Sequence, residues 1–506
     1  MSTHIDSYWP NYIDGAFCHG GAGRIEVTDP GSGEMLTTHA LADAADVDRA
    51  VQAAKRVHLS GVLANMHPME RGLIVRRMGQ YLAAHAEEIK RILVLEQGKP
   101  YFEATVEVNA TTRLFDYFAS MAESLEGKSV PTGQTRFDFT VHQPFGVSAQ
   151  FIPCHYPIYI AARSMAVALV TGNTCVLKTS ELAPVSAAWF ARAAEEAGLP
   201  AGALNIICGR GAEAGSALAG HPGIDHLAFS GHVETASRVL PLAAPNLVPS
   251  VVEVGGTNPT IVFEDADLDA FESEARTGTF WNAGQFCTGM YRVIVHESRY
   301  EEVLERSVGL AASLRLGPGM ESGDFGPYMG PLDSDAQVEK VVALVEDAKA
   351  SGARCLIGGR KAPGRGFFMQ PTILRDVQPQ MTVAQREIWG PVMAVMKFRT
   401  TEEAIQIANS TPYTGVICGV FTQDIGTMMR TAHAVKAGHV ITNASIISGP
   451  EIPFGGGFGR SGYGRVKGRE ALLGYVQTKN ILLPVGDLLP ETALQKTAVL
   501  NGRKPS

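Results

Sequence analysis

The sequence has no apolar run long enough to span a bilayer, no cysteines at metal-binding spacing and no basic tract. Its most apolar stretch, residues 158–177, is interrupted by Arg163 and Asn173, so it falls short of the roughly 18 continuous apolar residues that a membrane helix needs. The cysteines, Cys18, Cys154, Cys175, Cys208, Cys287, Cys355 and Cys418, stand singly, without CxxC or CxnH spacing. An odd, scattered set argues for reduced thiols and against a structural metal site. With 43 Lys plus Arg against 51 Asp plus Glu, the net charge is −8. Phosphate neutralisation is then a weak driving force, and nucleic acid and anionic membranes are both poor partners. The opening residues, MSTHIDSYWP, lack the basic and apolar regions of a secretory signal. A cytoplasmic chain that handles a small molecule is the expectation.

What is present is ordinary globular material: 45% hydrophobic and 19% charged residues over 506 positions, enough for two to four domains at about 150 residues each. From Asp43 to Leu95 apolar residues recur at helical spacing, with Asp43 and Pro68 as helix starts and Gly98 with Pro100 as a stop. Residues 125–144 turn to glycine, threonine and alternating Phe137, Phe139 and Val141, which reads as a β-ribbon. From Phe145 short apolar strands (GVSAQFI, NTCVLKTS, LNIICG, HLAFSG) alternate with amphipathic helices. That rhythm predicts a parallel sheet of the dinucleotide-binding kind. A second α/β series, residues 257–457, contains the strands YRVIVH and CLIGG and a helix near Glu402 to Asn409.

Four segments carry chemistry. In NAGQFCTG, Cys287 follows a Gly-Gln turn, where it is either a core thiol or one presented to a cleft, with neighbouring amides lowering its pKa. In VVEVGGTNP, Glu253 interrupts an apolar strand just before paired glycines; it is either a salt-bridged structural acid or a general base of raised pKa. LNIICGRG and FSGH have the form of strand-to-helix turns whose amides can hold phosphate. VLKTSE places Lys178 and Glu181 where both can reach the hydroxyls of a ribose at the carboxyl edge of a parallel sheet.

Taken in order, VLKTSE, the GxG turn, FSG, VEVGGTNP, GQFC, REIWGPV and PFGGGFGRSGYGR resemble the NAD(P)-dependent aldehyde dehydrogenase superfamily, from about Trp9 to Ile481. The resemblance implies an α/β fold with a Rossmann-type cofactor domain (1–121 and 145–255), an α/β catalytic domain (256–472), an oligomerisation ribbon (122–144 and 473–490) and a C-terminal tail (491–506). It implies that Cys287 attacks the aldehyde carbonyl, that hydride leaves for the nicotinamide to give a thioester, and that Glu253 activates the water that hydrolyses it. Ile152, Pro153, Lys178, Glu181, Gly211, Ser230, Gly231, Gly255, Glu387 and Trp389 are implied at the dinucleotide. Glu181 favours NAD over NADP, since a carboxylate repels a 2′-phosphate. A homodimer or homotetramer is implied by the ribbon.

The family's Pro-Trp-Asn-aromatic-Pro segment reads Pro153-Cys154-His155-Tyr156-Pro157 here, so His155 stands where an Asn amide helps to hold the oxyanion. A lost donor there costs on the order of 100-fold in rate. A neutral imidazole keeps one N–H and an imidazolium two, so His155 either replaces the amide or impairs the site. Arg163 matches an arginine that binds the distal carboxylate in succinate-semialdehyde dehydrogenases; the other reading pairs it with an internal acid. Trp281 and Tyr156 form an aromatic wall in the same reading. The substrate is expected to be a semialdehyde or an aromatic or aliphatic aldehyde. Two alternatives stand beside hydrolytic oxidation: a CoA-acylating enzyme, and a dinucleotide-binding homologue impaired at His155.

Overall fold

A computed structural model describes residues 5–133, 136–323, 326–413, 415–444 and 449–484. The βα rhythm builds an eight-stranded sheet, ordered Gly462–Tyr463, Ser250–Val254, His226–Gly231, Val147–Phe151, Thr174–Thr179, Leu204–Cys208, Asn11–Ile13, Ala16–Cys18. Its five central strands are parallel. The βα series starts in the middle at Val147–Phe151, steps outward through Thr174 and Leu204, then returns to add His226 and Ser250 on the other side. Strand order therefore reverses beside Val147–Phe151, and the loops leaving the carboxyl ends part there to open a crevice. A second, seven-stranded sheet centres on Arg292–His296 and is parallel apart from its edge strand Arg354–Ile357. Strands such as Val147–Phe151 and Ile417–Phe421 are buried at every position, as sheets covered on both faces require.

The helical start and stop signals correspond to three helices, Ala44–Ser60, Pro68–Ala84 and Ala86–Gln97. Asp43 accepts the Asp46 amide at 2.9 Å while Asp46 accepts the Asp43 amide at 3.1 Å, a reciprocal cap. Gly98 closes the third helix in the left-handed region, at φ 78°. A fourth helix, Tyr101–Ser120, was not anticipated. Its sequence, YFEATVEVNATTRLFDYFAS, is rich in β-branched and aromatic residues of middling helix propensity, and packing overrides that preference. It lies along Pro68–Ala84, and the close approach needs Gly79, where a Cβ would stand 2.6 Å from that of Phe115.

Arg136–Pro144 pairs antiparallel with Val476–Pro484 along its whole length, and Ser129–Val130 adds a short third strand. This ribbon leaves Val130, Phe137, Leu482 and Leu483 exposed. The expected tail, 491–506, and the last residues of the expected ribbon lie outside the described residues. No helix among those described is long and apolar enough to cross a membrane.

Gly79→Val should force the two helices apart and destabilise the fold by about 1–3 kcal/mol, read as a lowered thermal midpoint; an unchanged midpoint would show that this helix contact yields freely.

Candidate active site

Helix Leu268–Thr279 gives way to a tight turn at Trp281–Gly284, in which Asn282, Ala283 and Gly284 all have positive φ (49°, 53° and 75°). For the two residues that carry a Cβ this costs about 1–3 kcal/mol each, and a dense hydrogen-bond set opposes it. The Asn282 amide donates to Glu103 Oε2 at 2.9 Å, and its Nδ2 donates to the carbonyls of Gln285 (2.8 Å) and His155 (3.2 Å). The Tyr291 hydroxyl donates to the carbonyls of Gly284 (2.7 Å) and Phe286 (3.0 Å). Just beyond, the Cys287 carbonyl accepts Asn258 Nδ2 at 2.7 Å. One segment thus supplies both Glu253 and the amide that anchors the cysteine backbone.

Two cavities meet here. The first, about 510 Å³, is bordered by Cys287, Tyr156, Arg163, Trp281, Phe454 and Lys467 among others. The second, about 610 Å³, follows the carboxyl ends of the first sheet and is bordered by Ile152, Pro153, Lys178, Glu181, Gly211, Ser230, Gly231 and Trp389. His155 borders both. A third cavity, about 550 Å³ beside Tyr300 and Lys397, contains none of the motif residues. Gly255 and Glu387 border neither of the first two, but they belong together: the Glu387 carboxylate occupies the space where a Gly255 Cβ would project. Glu181 Oε1 accepts the Gly211 amide at 2.7 Å, and Lys178 Nζ lies 3.8 Å from Glu181 Oε2.

Glu253 borders neither cavity. It is buried, and Arg163 grips it with both terminal amino groups, Nη1 donating to Oε1 at 3.2 Å and Nη2 to Oε2. Ser230 Oγ donates to Oε2 at 3.2 Å. Two expectations change. Glu253 is not a lone acid in an apolar wall, because Arg163 faces it. Arg163 borders the aldehyde-side cavity but is already paired with an internal acid, so its fork is not free for a substrate carboxylate in this structure.

For the Cys287 thiol the electrostatics follow the core-thiol alternative. Burial, with the Glu253 carboxylate adding to it, pushes its pKa up; Arg163 and a backbone hydrogen bond lower it by less. Backbone amides do not prevail over desolvation at this turn. His155 is driven well below the ordinary imidazole range by burial and then by His232, Lys99 and Arg163, which favours the neutral imidazole over the imidazolium. Neither of its ring nitrogens has a hydrogen-bond partner among the described residues. Trp389 stands edge-on to its ring at 4.7 Å. Burial pulls the His232 pKa down, but the 3.1 Å contact of its Nδ1 with Glu387 Oε2 raises it overall.

Sequence reading missed Asn258, His232 and Lys467. Asn258 stands inside a quoted motif, and its unusual φ of 31° has no sequence signature beyond asparagine's tolerance of that region. Thr257, uninterpreted from sequence, is structural: its amide donates to the Tyr413 carbonyl at 2.8 Å and its carbonyl accepts Arg292 Nε at 3.3 Å. Cys154 donates to Asp333 Oδ2 at 3.4 Å and, like the other six cysteines, is free.

Comparison with known proteins agrees with this geometry. A family model described as "Aldehyde dehydrogenase family" matches residues 17–481. The chain is 38% identical over 489 residues to aldehyde dehydrogenase family 2 member B4, mitochondrial, of Arabidopsis thaliana, covering 96% of this chain and 88% of that protein. It is 38% identical over 474 residues to the mitochondrial benzaldehyde dehydrogenase of Antirrhinum majus, covering 93% and 88%. Among solved structures, the NAD+ complex of aldehyde dehydrogenase from Bacillus cereus superposes with a TM-score of 0.91 at 35% identity, over 94% of this chain and 97% of that one.

With its pKa raised, the Cys287 thiol of the free protein stays protonated through neutral pH. Its alkylation by iodoacetamide, followed by peptide mass, should therefore climb about tenfold per pH unit from 7 to 9, as the thiolate fraction does; a plateau below pH 8 would contradict the raised pKa.

Proposed function

The chain belongs to the aldehyde dehydrogenase family and oxidises an aldehyde to the carboxylic acid with NAD; from that premise we propose that Cys287 and Glu253 carry its two half-reactions. The observation that carries this reading is the placement of Cys287 on a cavity that meets the sheet-edge cavity at His155.

The sheet-edge residues fit a dinucleotide. Gly211 opens onto free space where a Cβ would project, Lys178 and Glu181 stand ready for ribose hydroxyls, and Glu387 Oε1 is buried without a hydrogen-bond partner among the described residues. Glu181 at this edge favours NAD over NADP. When bound, the nicotinamide supplies the hydride acceptor. Gly231 and Ser230 lie where strand His226–Gly231 ends, and Ile152, Pro153 and Trp389 wall the same space.

In the first half-reaction Cys287, as thiolate, forms a C–S bond to the aldehyde carbon while the carbonyl electron pair moves to oxygen. His155, neutral and with an unspent N–H, donates to that oxygen. Loss of hydride leaves the acyl group on sulfur as a thioester. In the second, Glu253 turns from Arg163 and takes a proton from water, and the resulting hydroxide bonds to the acyl carbon as the C–S bond breaks, releasing the acid and the Cys287 thiolate while Glu253 returns its proton to solvent. Tyr156 and Trp281 supply an aromatic wall to the substrate. Neither the CoA-acylating nor the impaired alternative draws support from relatives that are named as aldehyde dehydrogenases.

We divide the chain into a cofactor domain (1–121, 145–255), a catalytic domain (256–472) and a ribbon (122–144, 473–490); the two larger sheets support the first two, with strand Gly462–Tyr463 crossing over to pair with Ser250–Val254 of the first sheet. The exposed apolar residues of the ribbon suit a second copy of the chain, as homodimer or homotetramer. Seven free thiols support a reducing, cytoplasmic setting; the word mitochondrial in two relatives' names belongs to those proteins.

Cys287→Ala should lower turnover at least ~1,000-fold while NAD affinity is retained, and Glu253→Gln should give a single burst of reduced nicotinamide followed by a stalled acyl-enzyme. Full steady-state rate in either variant would remove that residue from its role. For the ribbon, Phe137→Asp combined with Leu482→Asp should shift the mass measured by light scattering to that of a smaller assembly; an unaltered mass would place the interface elsewhere.

A further inference from the structure

Lys467 is buried to 2% exposure, yet it borders the same cavity as Cys287. Its Nζ donates to the Gly449 carbonyl at 2.9 Å and lies 5.1 Å from the centre of the Phe454 ring. No carboxylate is within ion-pair distance of it among the described residues. A buried cation without an anion is costly, and such groups are kept where a ligand completes them. Arg163 is neutralised by Glu253, and Glu107 is neutralised by Lys99. Arg113, exposed at the rim, forms no ion pair among the described residues. The unpaired charges that face the cavity are therefore both positive, and only Lys467 is desolvated.

We propose that Lys467 is the anion receptor of the aldehyde cavity, so that this active site selects aldehydes that carry a carboxylate as their second functional group, with Arg113 drawing them to the rim. This assigns to Lys467 the recognition expected from sequence of Arg163, and it rests on the reading of Cys287 as the aldehyde-binding nucleophile. Tyr156, Trp281 and Phe454 give the carbon skeleton apolar walls, while the ammonium supplies a charge-assisted hydrogen bond. Burial, and then Arg163, lowers the Lys467 pKa to about 8 against the smaller upward pull of the more distant Glu253 and Glu451 carboxylates; a bound carboxylate would hold the ammonium protonated.

Two measurements test this on the full-length protein. The first is kcat/KM with saturating NAD for 4-carboxybenzaldehyde relative to 4-methylbenzaldehyde, in wild type, Lys467→Met and Lys467→Gln. The wild-type ratio should favour the anion by about tenfold or more, the worth of a charged hydrogen bond, and should collapse toward one in both variants. A wild-type ratio near one, or a ratio that survives both substitutions, overturns the proposal. The second needs neither aldehyde nor turnover: the rate of alkylation at Cys287 by anionic iodoacetate divided by that by neutral iodoacetamide. This ratio should fall severalfold in both variants, and an unchanged ratio overturns the cationic reading of the cavity. If neither benzaldehyde is oxidised while the alkylation ratio depends on Lys467, the charge reading stands, and the use of this cavity for aldehyde oxidation is what fails.

Discussion

Arg163 and Glu253 meet in the interior with side chains 3% and 2% exposed, one from helix Pro157–Val170 and the other from strand Ser250–Val254. Neither charge is tolerable there alone: removing one partner of a buried pair costs about 3–5 kcal/mol, because the survivor stays uncompensated. The guanidinium is further flanked by the rings of Tyr159 and Phe454, at 5.6 and 5.7 Å. Much of the site's behaviour follows from this contact. It holds the Glu253 carboxylate away from both cavities. It also cancels most of the arginine's field on the cavity, which leaves Lys467 as the desolvated charge a substrate would meet.

The legible parts of the fold were those governed by local chemistry. The strand HLAFSG was read with its observed limits, His226–Gly231, because a short apolar run bounded by polar residues has few alternatives. Asp43, Pro68 and Gly98 announced helix ends for the same reason, since caps are satisfied within a few residues. Tyr101–Ser120 is harder to read: its buried face (Ala104, Val108, Thr111, Leu114, Phe115, Phe118) recurs at helical spacing but is interrupted by the buried acids Glu103 and Glu107, and its close packing joins a phenylalanine to a glycine on another helix. The sheet-edge cavity is legible in the sequence because its residues sit on strand-end turns whose positions follow from sheet topology.

The aldehyde cavity was much less legible. Arg163 was noticed, but the choice between substrate and internal acid depended on a residue 90 positions away. Lys467 gave no signal at all, because a single lysine in a glycine-rich segment looks like a surface charge, and only burial distinguishes it. The choice between a core thiol and an activated one at Cys287 is not legible locally, because amide dipoles can be inferred from a turn whereas desolvation depends on everything packed around it.

His155 shows how these charges act together. Burial sets its neutrality, and His232, Lys99 and Arg163 reinforce it, since each would repel an added proton. A neutral imidazole offers one N–H, and Trp389 and Tyr156 stand edge-on to its ring at 4.7 and 5.7 Å, so the aromatic walls of both cavities restrict how that N–H can point. The cations that deny His155 a second proton also stabilise negative charge nearby: Arg163 opposes the upward push that burial and Glu253 exert on the Cys287 thiol. Arg163 and Lys99 are each paired with a carboxylate, so burial is the main reason that a proton is unfavourable on His155, and the cations add to it. The burial that disfavours a second proton on His155 leaves the ring one N–H to donate.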